Sequence, residues 1–144
     1  MSQFPAEGIY RIENNEKDEH GNYLYASIYK SSGKDFNALP KSTSFNQVFT
    51  LKYVNQSKGT CYIKETVSNA SAGVDTLENA EPVVTVTVDQ QWILKKLSNA
   101  HYSIGQTEGS TDFVWDLKEP KQDHQIVINP SNGSVYQKWL FVPV

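Results

Sequence analysis

The chain has 144 residues and a mass of 16.2 kDa, the size of one compact domain. Thirteen Lys and Arg against sixteen Asp and Glu leave a formal net charge of −3, which offers no long-range pull on nucleic-acid phosphate and sets a nucleic-acid partner aside. No apolar run approaches the roughly 20 residues of a membrane helix, so no membrane partner is expected. The single cysteine, Cys61, excludes an internal disulfide and a multi-cysteine zinc site.

Strand signals dominate from the start. The opening Met1-Ser2-Gln3-Phe4-Pro5 lacks the basic start and apolar stretch of a secretion signal, which favours a cytoplasmic location. Gly8-Ile9-Tyr10-Arg11-Ile12 begins a first strand, and Glu19-His20-Gly21-Asn22 marks a turn before the aromatic and β-branched run Tyr23–Tyr29. A second turn cluster, Ser31-Ser32-Gly33-Lys34, precedes a close at Gln47-Val48-Phe49. Cys61 and Ile63 then open another strand, Asn69-Ala70-Ser71-Ala72-Gly73 reads as a turn, and Pro82–Val88 as one continuous strand. Gln90–Ala100 comes nearest to helical periodicity, but Trp92-Ile93-Leu94 followed by two lysines fits a short strand entering a loop. Tyr102 and Ile104 open the last third, which carries strands at Phe113–Leu117 and Gln125–Ile128, a turn at Asn129–Gly133 and a close at Gln137-Lys138-Trp139.

Those openings and closes are an internal repeat. Tyr10/Ile12, Cys61/Ile63 and Tyr102/Ile104 are matching alternating pairs, and Gln47-x-Phe49, Gln90-x-Trp92 and Gln137-x-Trp139 are matching ends, each followed two places on by Leu51, Leu94 or Phe141. The unit recurs about every 45 residues, and three such units are too few for a propeller of about four to eight blades. The expected fold is therefore all-β: a β-trefoil of three pseudo-repeats of four strands (residues 8–54, 59–97 and 100–144) in a single domain spanning 1–144. First and last strands should form a short barrel, with Phe49, Trp92 and Trp139 near its pseudo-threefold axis and the three glutamines bonded to turn backbone.

The Gln-x-aromatic closes resemble the ricin-B-like β-trefoil superfamily. Gly8–Ile12 and Gln137-Lys138-Trp139-Leu140-Phe141 look more specifically like small mushroom trefoils, which divide into lectins and protease inhibitors such as the mycocypins and cocaprins. For a lectin the resemblance implies an Asp near the end of a second strand, a ring on the third and a nearby amide. Asp116 holds that place in the third repeat with Asn129 to assist, but Gln125–Asn129 supplies no ring. The first repeat offers only Ala26 and Ser27, and the second offers Asp75 without an aromatic.

Catalytic constellations are absent: His20, His101 and His124 are scattered, and Cys61 stands where Tyr10 and Tyr102 stand, as a small inward residue. Glu16–His20 reads as a solvated charged loop, and no cofactor is expected. A protease inhibitor is the first expectation. The resemblance implies that the loops joining strands one to two and three to four enter a protease cleft. The matching residues are Asn15, Glu16, Lys17, Asp18, Glu19, His20, Gly21 and Asn22, with Pro40, Lys41, Ser42 and Thr43. The expected partners are proteases of the cysteine or aspartic class; glycan binding at Asp116 and Asn129 is the alternative, and a storage or interaction role a third.

Overall fold

Alternating apolar residues and Gly/Asn/Pro turns give a chain of short strands. The computed structural model describes residues 3–30, 34–98 and 100–144. In the first unit lie β1 (Gly8–Lys17), β2 (Tyr23–Tyr29), β3 (Asn37–Leu39), β4 (Phe45–Asn46) and β5 (Phe49–Asn55). The second holds β6 (Thr60–Glu65), β7 (Ser71–Gly73), β8 (Glu81–Pro82), β9 (Val84–Val86) and β10 (Trp92–Lys96). The third holds β11 (His101–Glu108), β12 (Thr111–Asp116), β13 (His124–Gln125), β14 (Val127–Pro130) and β15 (Trp139–Pro143). Short 3₁₀ turns occupy Gln56–Lys58 and Val135–Gln137.

The first and last strands of the units pair in a closed cycle, β1–β5–β6–β10–β11–β15–β1, all antiparallel. Closure leaves those strands no free edge. The middle strands cap one end, which makes the fold a β-trefoil. Tyr10, Ile12, Cys61, Ile63, Tyr102 and Ile104 are all buried, as the matching openings require, and so are Leu51, Leu94 and Phe141.

Two strand expectations are corrected at the cap. Pro82–Val88 is not one strand but β8 and β9, and Gln125–Ile128 is divided between β13 and β14. The residues at the breaks, Val83 and Ile126, turn inward with Phe36 to form a ring of backbone hydrogen bonds about the pseudo-threefold axis. Phe36 N–H donates to Val83 O at 2.9 Å, Val83 N–H to Ile126 O at 2.9 Å, and Ile126 N–H to Phe36 O at 2.8 Å. The β-branched pattern reports burial there, and the ring takes the donors a continuous ladder would use. Ser71–Gly73, read as turn, is strand β7, with the reversal confined to residues before it, where Asn69 has φ 60°. The Ser31-Ser32-Gly33 part of the second turn cluster lies outside the described residues.

Phe49, Trp92 and Trp139 are buried in one cluster, but they meet through two further rings rather than directly. Trp115 stands edge-on to Trp92 at 5.6 Å, to Trp139 at 5.9 Å and to Phe36 at 5.7 Å, and Phe36 stacks on Phe49 at 5.5 Å. The indole N–H of Trp92 donates to Ala72 O at 2.9 Å and that of Trp139 to Trp115 O at 3.1 Å, so Ala72 and Trp115 hold equivalent places. Ala26 takes the same place in the first unit, opposite Ala38 as Trp115 is opposite Ile128. One large and two small side chains at this triple position fill the axis with a single indole.

The other end of the barrel is closed by residues 3–7. Tyr102, Pro5's partner Tyr53, and Tyr10 donate their hydroxyls to Gln3 O at 2.8 Å, Pro5 O at 2.6 Å and Ala6 O at 2.6 Å respectively. Phe4 lies between Tyr53 and Tyr102, with ring centroids 6.4 and 6.3 Å away. Gly59, at φ 72°, lets Phe4 approach: a Cβ there would fall 2.9 Å from that ring and 2.6 Å from Leu94 O.

Candidate functional site

Each unit's glutamine ties its last loop to the core, as expected. Gln47 accepts from Ser42 N–H at 2.9 Å and donates to Pro40 O at 2.7 Å and Ser27 Oγ at 3.0 Å. Gln90 instead holds both backbone groups of Val74, at 3.0 and 2.9 Å. Gln137 accepts from Asn132 N–H at 3.0 Å and donates to Pro130 O at 3.2 Å and to the Asp116 carboxylate at 3.2 Å.

That last bond places a nearly buried carboxylate at the end of β12. Val114 stands opposite Asn129 on β14, and Asp116 is two residues further along the same face, so the Asn129 amide reaches it diagonally. The Asn129 Nδ2 donates to Asp116 Oδ2 at 3.1 Å, and Lys118 N–H donates to Asp116 Oδ1 at 2.8 Å. Lys118 sits in the left-handed region at φ 64°, a conformation held by that bond. Asn129 is fixed from its other side, accepting from Ala80 N–H at 2.9 Å.

A carboxylate offers about four lone-pair directions, and three are taken. What remains is one acceptor direction on Asp116 Oδ1 and the second N–H of the Asn129 amide. Both residues border a depression of about 490 Å³ lined by Asp116, Lys118, Asn129, Pro130, Asn132, Ser134 and Tyr136. The third strand supplies no ring, as expected, but Tyr136, from the 3₁₀ turn before Gln137, lines the depression. Its position is determined by packing against Leu24, Ala38 and Leu117 and by its carbonyl, which accepts from Asn14 Nδ2 at 3.0 Å. Only its place immediately before the Gln-x-Trp close signalled it in the sequence.

Equivalent places in the other units carry no such group. Ser27 stands where Asp116 stands and Leu39 where Asn129 stands, by the pairing of Ala26 with Ala38. In the second unit Gly73 and Val86 hold the two places, by the pairing of Ala72 with Thr85. Asp75, expected to be the second unit's carboxylate, is exposed two residues beyond.

The residues named for a protease cleft divide in four. Asn15, Glu16 and Lys17 belong to β1 rather than to a loop, with Lys17 Nζ 4.6 Å from the centre of the Tyr23 ring. Asp18 is buried and gathers the turn, accepting from His20 N–H at 2.9 Å, Asn22 N–H at 2.8 Å and Gln122 Nε2 at 3.0 Å. These bonds hold its carboxyl below the usual range, the Asn22 backbone contributing most. Glu19, His20, Gly21 and Asn22 are exposed at the tip, as is Lys17 at the end of β1. Pro40, Lys41, Ser42 and Thr43 form a separate loop, pinned by Gln47 and by Lys30 Nζ to Thr43 O at 2.8 Å. Ser42 and Thr43 border a second depression, which no residue of Asn15–Asn22 lines.

Cys61 is fully buried, and burial pushes its thiol up to about 12, far from a reactive thiolate. Among the described residues no three His, Cys, Asp or Glu side chains are grouped to hold a metal ion.

No protein-family model and no curated protein matches this chain. Solved structures do. The ricin B-like lectin of Macrolepiota procera, in complex with lactose, is similar with TM-score 0.81 at 15% identity over 99% of both chains. The Rhizoctonia solani agglutinin is similar with TM-score 0.78 at 19% identity over 98% of both chains. A designed threefold-symmetric protein, ThreeFoil, is similar with TM-score 0.72 at 17% identity, over 94% of this chain and 99% of its own. Likeness at such identity establishes the trefoil fold; function rests on the site.

Proposed function

We propose that the protein is a carbohydrate-binding module, a lectin-type β-trefoil that engages one saccharide in the third repeat and carries out no chemistry on it. The observation that carries the reading is the Asp116–Asn129 pair at the floor of a depression walled by Tyr136. Vicinal hydroxyls of a pyranose match the free groups there: one hydroxyl donates to Asp116 Oδ1, and its neighbour accepts from Asn129 Nδ2. The apolar face of the sugar lies against the Tyr136 ring. Prior fixing of the carboxylate by Gln137 and Lys118 N–H keeps the ordering cost on binding low. Similar solved structures, one of them holding lactose, support this order of preference over protease inhibition. The turn of the expected inhibitory hairpin is short and folded back on Asp18.

Lactose is the first probe. Titration calorimetry and a glycan array on the native chain are expected to show binding in the micromolar to millimolar range, lost at least tenfold in Asp116→Asn, with papain and pepsin turnover unaffected. Inhibition of either protease by both chains, without sugar binding by either, would contradict the reading.

A further inference from the structure

We infer that a second site, bordered by the first unit's last loop, binds an oxyanion: a carboxylate, sulfate or phosphate group. The chain's only arginine, Arg11, points away from the barrel interior between the inward residues Tyr10 and Ile12. Its Nε–H is buried and has no hydrogen-bond partner, and none of the ion pairs among the described residues includes its guanidinium. A buried donor of a charged group left unpaired is costly, so it points to an occupant.

The space for one is present. Arg11 borders a depression of about 230 Å³ together with Lys30, Ser42, Thr43, Glu65 and Thr66. The one acid in this wall is already engaged: the buried Glu65 carboxylate accepts from Val67 N–H at 2.7 Å, Ser68 N–H at 2.8 Å and Ser68 Oγ at 2.8 Å. Lys30 is anchored over the rim by its bond to Thr43 O at 2.8 Å, which spends one of its three donors. Two cations against one committed acid leave this wall positive on a chain whose net charge is −3. A guanidinium fork beside an ammonium and hydroxyls is donor-rich and matches a paired-oxygen anion. The site is separate from the Asp116 depression, shares no lining residue with it and does not depend on the sugar-binding reading.

A single arginine gives a single side-chain Nε–H cross-peak in a ¹H–¹⁵N spectrum, so the native chain reports occupancy directly. Titrants are sodium sulfate, sodium acetate, glucuronate and galactose 6-sulfate, with sodium chloride at matched ionic strength. The expected result is a saturable shift of that cross-peak with the oxyanions and not with chloride. Affinity at least tenfold tighter for an acidic sugar than for its free anion assigns the group to a saccharide; equal affinity assigns a free ion. Thermal stabilisation by sulfate is expected to vanish in Arg11→Gln and to fall several-fold in Lys30→Met, with lactose affinity unchanged in both. A shift that grows linearly and equally with chloride, or sulfate stabilisation retained in Arg11→Gln, would overturn the proposal.

Discussion

Asp116 is a residue whose surroundings were half visible in the chain. Its position near the end of a second strand, and the amide of Asn129 beside it, were legible through the resemblance to ricin-B-like trefoils. Tyr136 was not, because a ring arriving from a 3₁₀ turn has no periodicity to betray it; only the contact with Leu24, Ala38 and Leu117 places it. Asp75 misled for a related reason: it stands two residues past Gly73, beyond the end of β7, where its side chain is exposed. The two roles of Tyr136 separate by substitution. Tyr136→Ala is expected to weaken lactose binding by about 1 kcal/mol, several-fold in Kd, whereas Tyr136→Phe retains the stacking face and most of the affinity, as measured by calorimetry.

At the scale of elements, β-branched runs announced burial correctly and continuity wrongly. Val83 and Ile126 interrupt their strands because the axis demands three inward turns whose backbone groups satisfy one another. No single-segment pattern encodes a bond to a residue in another repeat, which is why the breaks stayed hidden. The N-terminal segment was equally silent, though three hydroxyls and one ring hold it. Phe4→Ala is expected to lower unfolding free energy by about 2 kcal/mol in urea titration, since the ring is partly rather than wholly buried. This end also sets an upper pH limit. Burial pushes Tyr10, Tyr53 and Tyr102 above 10.0, and Cys61 from 9.0 to about 12. The fold therefore retains protons that the unfolded chain releases. This contribution is complete below about pH 9 and is lost as pH rises towards 12. Urea midpoints at pH 8 and pH 10.5 are expected to show the drop, and Cys61→Ser to lessen it.

For the whole molecule, the threefold scaffold and the unrepeated Asp116–Asn129 pair are consequences of different constraints. The closing strands, glutamines and aromatic plugs repeat because the barrel must shut, and that repetition made the fold readable. Ser27 and Leu39 in one unit, Gly73 and Val86 in another, carry neither carboxylate nor amide. Sugar binding at Asp116 thus implies one saccharide per chain. The direct measurement is a lactose titration followed in ¹H–¹⁵N spectra of the native chain. The side-chain amides of Asn129 and Gln137 and the backbone N–H of Lys118 are expected to shift together and saturate at one equivalent, while the amides of Gln47 and Gln90 stay still. Shifts centred on the first or second repeat, or none at saturating lactose and across a wider set of sugars, would contradict the account.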